Sequence, residues 1–149
     1  MMSTLLFRRT LTAGLGLAIA LATIPLAAST RLGAGEVKVT VKYNGKGAVD
    51  GNHRLWIWLF DTPEISAGGI PIAEMSLEAN GTSATFANVA QEKVWIAIAF
   101  DEHGGFGGSA PPPSGSPVTV YAEEGAPAGV TPGPDAAVSV AFDDTRRMP

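Results

Sequence analysis

Short runs in which apolar residues occupy every second position recur along the chain from residue 36 onward. In the first run, valine stands at positions 37, 39 and 41, and charged or polar residues fill the positions between them. An apolar period of two predicts a β-strand with one buried face. Seven segments are predicted as strands from this pattern or from a short continuous apolar run, and they are 36–43, 54–61, 72–79, 82–87, 94–101, 118–122 and 136–142.

Segment 54–61 is apolar on both faces, which is typical of a central strand or of a strand covered on its second side. Asn80 and Gly81 alone separate the third and fourth segments, and this dipeptide favours the positive φ angles of a type I′ hairpin turn. No stretch after residue 30 has apolar spacing of 3.6 residues over three turns, so no long helix is predicted. The sequence therefore predicts an all-β fold, a single antiparallel β-sandwich of about seven strands with its core within 36–142.

The first 29 residues have a different character. The pair Arg8-Arg9 forms a short positive region, and an uncharged, mostly apolar run follows over 10–28. That order of charge, apolar run and small residues is typical of a secretory signal peptide. Cleavage is predicted after Ser29, with Ala28 as the alternative last residue, and a membrane anchor and twin-arginine export stay open as alternatives. The predicted units are a signal peptide over 1–29 and a β-sandwich domain over 30–149.

The composition limits the chemistry of this 149-residue chain. It has no cysteine, so disulfides, thiolate catalysis and cysteine-ligated zinc are excluded. Its net charge is −4, and removing Arg8 and Arg9 from the 10 basic residues leaves 8 against 14 acidic ones, a net charge of −6. Non-specific binding of nucleic acid depends on Lys and Arg that neutralise phosphates. We therefore predict no nucleic-acid partner, and no membrane span once the signal peptide is removed.

Segment 94–101 ends in Asp101, and a glycine-rich loop follows it, with Gly115-Ser116-Pro117 and Tyr121 further on. In these features the chain resembles small secreted bacterial domains with a transthyretin-like or carboxypeptidase-regulatory-like sandwich, many of which have no known function. The early strand at 55–60 also fits, and the resemblance covers 36–142. It implies this sandwich fold, with an immunoglobulin-like sandwich as the alternative class, and a periplasmic or secreted location. It implies no catalytic residues.

One end of such a sandwich gathers both histidines and most of the aspartates. If the strands alternate in direction, the loops at 44–53, 80–81, 102–117 and after 142 share that end. Candidate metal ligands there are Asp50, His53, Asp101 and His103. Two imidazoles with carboxylates suit zinc or copper, and carboxylates alone suit calcium. Their spacing matches no metal motif, so the alternative interpretation is that they are solvated loop residues.

Three tryptophans form a second set of candidates. Trp56 and Trp58 share one strand face, and Trp95 shares a face with Ala97 and Ala99. If that surface is exposed, its indoles are able to stack on sugar rings or to anchor a protein partner. The alternative interpretation is core packing, in which the large indoles fit against small alanines.

No pattern indicates catalysis. Ser109, Ser114 and Ser116 lie in a proline- and glycine-rich loop without a nucleophile elbow, so an enzyme is not expected. We therefore expect an exported, non-catalytic β-sandwich that acts as a binding or accessory module for a protein or glycan partner. The alternatives are a periplasmic metal-binding protein, for which the cofactor is a divalent metal, and a carbohydrate-binding module that uses the tryptophans.

Overall fold

The computed structural model describes residues 34–65 and 68–149. The signal peptide predicted for residues 1–29 lies outside the described residues. Those that are described form ten strands and no helix, and therefore include no helix long and apolar enough to cross a membrane. The strands are β1 (Gly35–Tyr43), β2 (Leu55–Phe60), β3 (Ala73–Leu77), β4 (Ser83–Val89), β5 (Val94–Phe100), β6 (Val118–Val120), β7 (Ala122–Glu123), β8 (Ala126–Pro127), β9 (Gly129–Val130) and β10 (Ala137–Phe142).

The larger sheet has the order β3-β2-β5-β6, and all of its pairs are antiparallel. Strand β2 lies at its centre and is buried at all six positions, as expected for a strand that is apolar on both faces. Strand β9 pairs with β5 just beyond β6, because the short β7–β8 hairpin interrupts what is otherwise one strand position. These short strands raise the count above the predicted seven, because a two-residue strand leaves no periodic signal in a sequence.

The smaller sheet has the order β10-β1-β4. Strands β1 and β4 are antiparallel, whereas β1 and β10 are parallel, with Val39 opposite Val138. The prediction of an antiparallel sandwich was wrong for this pair. Parallel neighbours need a long crossover connection, and here that connection is nearly the whole domain between β1 and β10. A local hydrophobic pattern carries no information about such a distant pairing.

The turn at Asn80 and Gly81 differs from the predicted hairpin. Strand β3 pairs with β2 in the larger sheet and β4 pairs with β1 in the smaller, so the turn leads the chain from one sheet to the other. Only Gly81 of the two has a positive φ, at 76°. The Asn80 amide accepts a hydrogen bond from the Tyr43 N–H at 2.8 Å and donates one to the Tyr43 carbonyl at 2.7 Å. The Asn80 side chain thus satisfies the backbone N–H and carbonyl of Tyr43, as a neighbouring strand would.

Two apolar clusters hold the fold together. The first lies between the sheets and contains the alternate residues of β1 with Leu55, Ile57 and Leu59 of β2. The second lies on the outer face of the larger sheet and contains Trp56, Trp58 and their neighbours. Residues 101–116, called the covering loop below, pack over this outer face through Phe106 and Ala110. This second cluster explains why β2 is buried on both sides.

Candidate functional site

The loops predicted to share one end of the molecule do lie together. The N–H of Gly105 donates to the Asn52 carbonyl at 3.3 Å, and the N–H of Lys46 donates to Asp144 at 2.9 Å. Asp143 and Asp144 begin the closing segment, defined here as residues 143–149. The four residues predicted as metal ligands all belong to this end of the molecule.

Asp50 and His53 form a local pair. The Asp50 carboxylate lies 3.1 Å from Nδ1 of His53 and also accepts hydrogen bonds from the N–H groups of Asn52 and His53, each at 2.8 Å. These contacts hold the pKa of Asp50 below its ordinary value, the largest contribution coming from the backbone of His53. The carboxylate closes the turn at 50–53, which is the ordinary role of an aspartate in a loop.

Asp101 is buried and has a different role. One carboxylate oxygen accepts the N–H of Gly104 at 2.9 Å, and the other accepts the N–H of Phe106 at 2.8 Å. A buried carboxylate needs such donors to offset the loss of water. Asp101 therefore shapes the start of the covering loop, and its backbone N–H joins the loop to the Arg54 carbonyl at 2.9 Å.

His103 is exposed on the covering loop. Across residues 34–65 and 68–149, no three or more histidine, aspartate or glutamate side chains are grouped so that they could hold a metal ion. The structure brings Asp50 and His53 together and gives both oxygens of Asp101 to the loop backbone. A metal-binding role for these residues stays a prediction, and their geometry adds no support to it.

The tryptophans lie beneath the covering loop. Trp56 and Trp58 are buried, and the indole N–H of Trp58 donates to the Gly108 carbonyl at 2.7 Å. Phe106 packs edge-on against both indoles, with ring centroids 5.7 and 6.3 Å away. Trp95 is half-buried beside Gly129. A sugar ring has no access to the first two indoles in this conformation, so the carbohydrate-binding prediction gains no support.

An apolar groove lies beside the buried tryptophans, and the sequence did not predict it. Its volume is about 310 Å³. Three separate parts of the chain form it, namely the outer face of the larger sheet, the proline run of the covering loop and the closing segment. Its lining includes Phe60, Ala97, Val118, Val120, Pro111 and Arg146.

The closing segment is fixed across the groove by backbone hydrogen bonds. The N–H of Val118 donates to the Arg146 carbonyl at 2.9 Å. The N–H of Gly115 donates to the Met148 carbonyl, and the N–H of Met148 donates to the Ser116 carbonyl, also at 2.9 Å. The Arg147 guanidinium donates to the Glu102 carboxylate at 2.6 Å. That bond holds the pKa of Glu102 below its ordinary value. The wall formed by this segment is therefore tied to both the covering loop and β6.

The two arginines of the closing segment differ in their surroundings. The charge of Arg147 is met by Glu102 and, at 3.6 Å, by Asp144. Arg146 is exposed, lines the groove and takes part in none of the ion pairs found among the described residues. The groove therefore has mainly apolar walls and two lining arginines, of which Arg146 forms no ion pair among the described residues.

Two sequence features pointed toward this groove without identifying it. Three consecutive prolines, Pro111-Pro112-Pro113, favour a stiff segment within the covering loop, and the closing segment carries both acidic residues and arginines. The Arg147–Glu102 pair shows that the closing segment folds back onto the covering loop. Where these two segments meet depends on the strand order, which the sequence does not contain.

No family model matches the chain, and no curated protein matches it. Among solved structures, the chain is similar to an alternative pilotin from the type II secretion system of Vibrio cholerae, with 15% sequence identity and a TM-score of 0.43. The match covers 72% of this chain and 92% of that chain. A likeness at this level carries no argument about what the chain binds or does.

Proposed function

We propose that the chain is an exported, non-catalytic binding module with a β-sandwich fold of the transthyretin-like or immunoglobulin-like class, and that the groove is its ligand site. The observation that carries this proposal is an apolar groove built from three separate parts of the chain, with the exposed Arg146 at its rim. Its volume of about 310 Å³ lies at the lower end of the range for small-molecule sites.

The ligand that fits is a small molecule with an apolar body and one anionic group. Phe60, Val118 and Val120 offer apolar surface, and transferring an apolar body from water onto such surface is favourable. A guanidinium binds carboxylate, sulfonate or phosphate groups through paired N–H donors. Because Arg147 is already paired with Glu102, Arg146 is the cation that would meet the anionic group.

The lining of the groove favours binding over catalysis. Among the described residues that line it, the one side-chain hydroxyl is that of Thr119, and no carboxylate or imidazole side chain lines the groove to act as its base. General acid–base and nucleophilic catalysis need such groups within hydrogen-bond reach of the reacting atoms. An exported domain with this lining is expected to hold or deliver its ligand without changing it.

The test uses two fluorescent probes of similar apolar body, 8-anilinonaphthalene-1-sulfonate and the uncharged N-phenyl-1-naphthylamine. Both are expected to bind the purified protein saturably at one site. Ala97→Phe fills the groove and is expected to weaken both probes at least ~10-fold, the effect of roughly 1.4 kcal/mol. Arg146→Gln is expected to weaken only the sulfonate. Arg54→Gln, on an arginine paired with Glu78 away from the groove, is the matched charge control.

Unfolding midpoints of all variants show whether each one is folded. Binding of both probes that Ala97→Phe leaves unchanged would place them elsewhere on the molecule and overturn the groove as the site. Equal loss of the sulfonate and the uncharged probe in Arg146→Gln would remove the anionic group from the proposal. Absence of saturable binding by either probe would also contradict it.

A further inference from the structure

Within the described residues, strand β10 forms one outer edge of the smaller sheet, and β1 is its one strand partner there. The N–H of Lys38 donates to the Ala136 carbonyl at 2.8 Å, and the N–H of Asn44 donates to the Phe142 carbonyl at 2.7 Å. Backbone groups alternate in direction along a strand. The peptide groups of residues 136, 138, 140 and 142 therefore face β1, and those of 137, 139 and 141 face the open side.

Those three outward-facing positions are Ala137, Ser139 and Ala141. Their side chains are exposed, and no hydrogen bond found among the described residues involves their backbone N–H or carbonyl groups. A row of unpaired backbone N–H and carbonyl groups at a sheet edge allows a further strand to pair with it. The edge of β10 thus offers three donors and three acceptors at a regular spacing.

The other outer strands of the described fold have features that block such an addition. Strand β3 carries the exposed charge of Glu74, the pairing of β4 with β1 contains a register shift, and the β7–β8 hairpin interrupts β6 and β9. Charges, bulges and interruptions are the usual protection of sheet edges. Strand β10 has six residues without charge, proline or bulge.

The two sheets differ in width by one strand position. With β6 and β9 counted as one position, the larger sheet has four strand positions where the smaller has three. Strands β3 and β4 meet at the turn between them, so the sheets are matched on that side. The additional position of the larger sheet therefore lies on the side of β10. A strand added to β10 would make the two sheets equal in width.

The charges beside the edge indicate which strand would fit. Lys38 stands next to Ala137 and Lys42 next to Ala141, and both lysines are exposed on the outer face. Neighbouring strands lie about 4.8 Å apart, so an added strand would be about 10 Å from β1. The small side chains between leave a clear path for a lysine to reach an acidic residue on that strand.

We propose that the edge of β10 binds an extended segment of a partner polypeptide as a further strand, with acidic residues at alternate, outward-facing positions. Backbone hydrogen bonds to residues 137, 139 and 141 provide the pairing, and Lys38 and Lys42 select the acidic side chains. Apolar residues at the remaining positions of the segment face the interior of the sandwich. A second copy paired through β10 would set Ala and Ser against Ala and Ser and leave the lysines without acidic partners, so it fits less well.

The probe is a labelled nine-residue peptide that alternates glutamate and valine, and its binding to the purified protein is followed by fluorescence anisotropy. Two control peptides replace glutamate by lysine, or carry N-methyl groups on alternate backbone amides so that they cannot pair. Only the unmodified glutamate peptide is expected to bind. Hydrogen exchange at the amides of Ala137, Ser139 and Ala141 is expected to slow when it does.

Two variants test the edge itself. Ser139→Pro removes one outward N–H and leaves the pairing with β1, because proline is tolerated on an edge where its missing N–H faces solvent. Ala141→Glu places a negative charge beside Lys42, and Ala87→Glu, at an exposed alanine of β4, is its matched control. Ala141→Glu is expected to weaken peptide binding at least ~10-fold, and Ala87→Glu is expected to leave it unchanged.

Failure of the glutamate peptide to bind at millimolar concentration would overturn the proposal, as would equal weakening by Ala141→Glu and Ala87→Glu. Binding of the N-methylated peptide would also overturn it, because strand pairing requires those amides. Sedimentation of the protein alone as a dimer that Ala141→Glu dissociates would identify a second copy as the occupant instead. Ala141→Glu decides the outcome even if Ser139→Pro fails to fold.

Discussion

The hydroxyl of Tyr43 donates a hydrogen bond to the carboxylate of Asp144, a residue 101 positions later in the chain. The same carboxylate accepts the N–H of Lys46 at 2.9 Å. Burial, reinforced by Asp144, holds the pKa of Tyr43 well above its ordinary value. One acidic side chain thus joins the end of β1, the loop after it and the closing segment that forms a wall of the groove.

We expect Tyr43→Phe to lower the free energy of unfolding by ~1 kcal/mol, because a single hydrogen bond between part-buried groups contributes about that much. Urea unfolding of the wild type and the variant measures the difference. Tyr121→Phe is the control, since the Tyr121 hydroxyl donates to the exposed Glu123 at 2.5 Å. Equal losses of unfolding free energy in the two variants would show that the hydrogen bond to Asp144 stabilises the fold no more than the exposed one to Glu123.

Acid is expected to destabilise the protein. The hydrogen bonds from Tyr43 and from the Lys46 backbone hold the pKa of Asp144 below its ordinary value, and Arg147 does the same for Glu102. A carboxyl group whose pKa is lower when folded contributes stability above its unfolded pKa of about 4 and loses it as the pH falls through the folded value. Stability should therefore be level between about pH 7 and 5 and should fall below about pH 4.

Asp144→Asn isolates one part of this acid dependence. The amide cannot be titrated, so the variant should be less stable at pH 7 and should lose less stability between pH 5 and pH 2. Asp135→Asn is the matched control, because Asp135 accepts no hydrogen bond within the described part of the chain. Parallel curves for the wild type and Asp144→Asn would contradict the assignment.

The covering loop contains a matched pair of glycines. Gly105 and Gly108 both have positive φ, at 78° and 90°, but a Cβ at Gly105 would meet open space, whereas one at Gly108 would overlap the ring of Trp56. Gly105→Ala is expected to cost ~1 kcal/mol through its φ alone. Gly108→Ala is expected to cost roughly 1–3 kcal/mol more, because overpacking forces the indole or the loop to shift.

Thermal unfolding measures both variants, and tryptophan fluorescence reports on the packing of the loop. The emission of Gly108→Ala should move to longer wavelength as Trp56 gains contact with water, and that of Gly105→Ala should stay unchanged. Equal costs and unchanged emission in both variants would show that the loop does not pack on Trp56 as described.

Local pattern predicted much of this fold, because alternation depends only on which face of a strand is buried. The predicted segments 36–43 and 54–61 match β1 and β2 within one residue at each end. The loops at one end were also placed together correctly. The turn at Asn80 and Gly81 shows the limit, since the same dipeptide serves a hairpin or a step between sheets, and the tertiary contacts of Asn80 with Tyr43 decide between them.

The candidate site was harder to predict for the same physical reason. Trp56 and Trp58 are apolar at positions that alternation assigns to the outer face of β2, and nothing in the sequence shows what covers that face. The cover comes from Phe106 and Gly108, about 50 residues later. The pairing of β1 with β10 and the groove at Arg146 depend on contacts between residues that are still further apart in the sequence. A hydrophobic pattern over ten residues carries no information about such contacts.

Asp101 is either a structural carboxylate or a metal ligand, and the two roles predict different responses of stability to metal. Its oxygens accept the N–H groups of Gly104 and Phe106 at 2.9 and 2.8 Å. Asp101→Asn keeps the size of the side chain but leaves one of these buried N–H groups facing an amide NH₂. We expect it to cost roughly 1–3 kcal/mol of stability, the penalty for an unsatisfied buried group. Thermal unfolding in EDTA and then with calcium, zinc or copper measures this cost.

A structural role requires that the cost of Asp101→Asn be the same in EDTA and in each metal, and that no metal move the unfolding midpoint of the wild type. His53→Ala is the companion variant, because it removes an imidazole without touching the covering loop. A metal bound only by the folded state at a hundredfold excess over its dissociation constant would add about 2.7 kcal/mol. A rise of that size that disappears in both His53→Ala and Asp101→Asn would establish a metal site. Unfolding midpoints that no metal changes would support the structural role, in which Asp101 shapes the covering loop over the tryptophans.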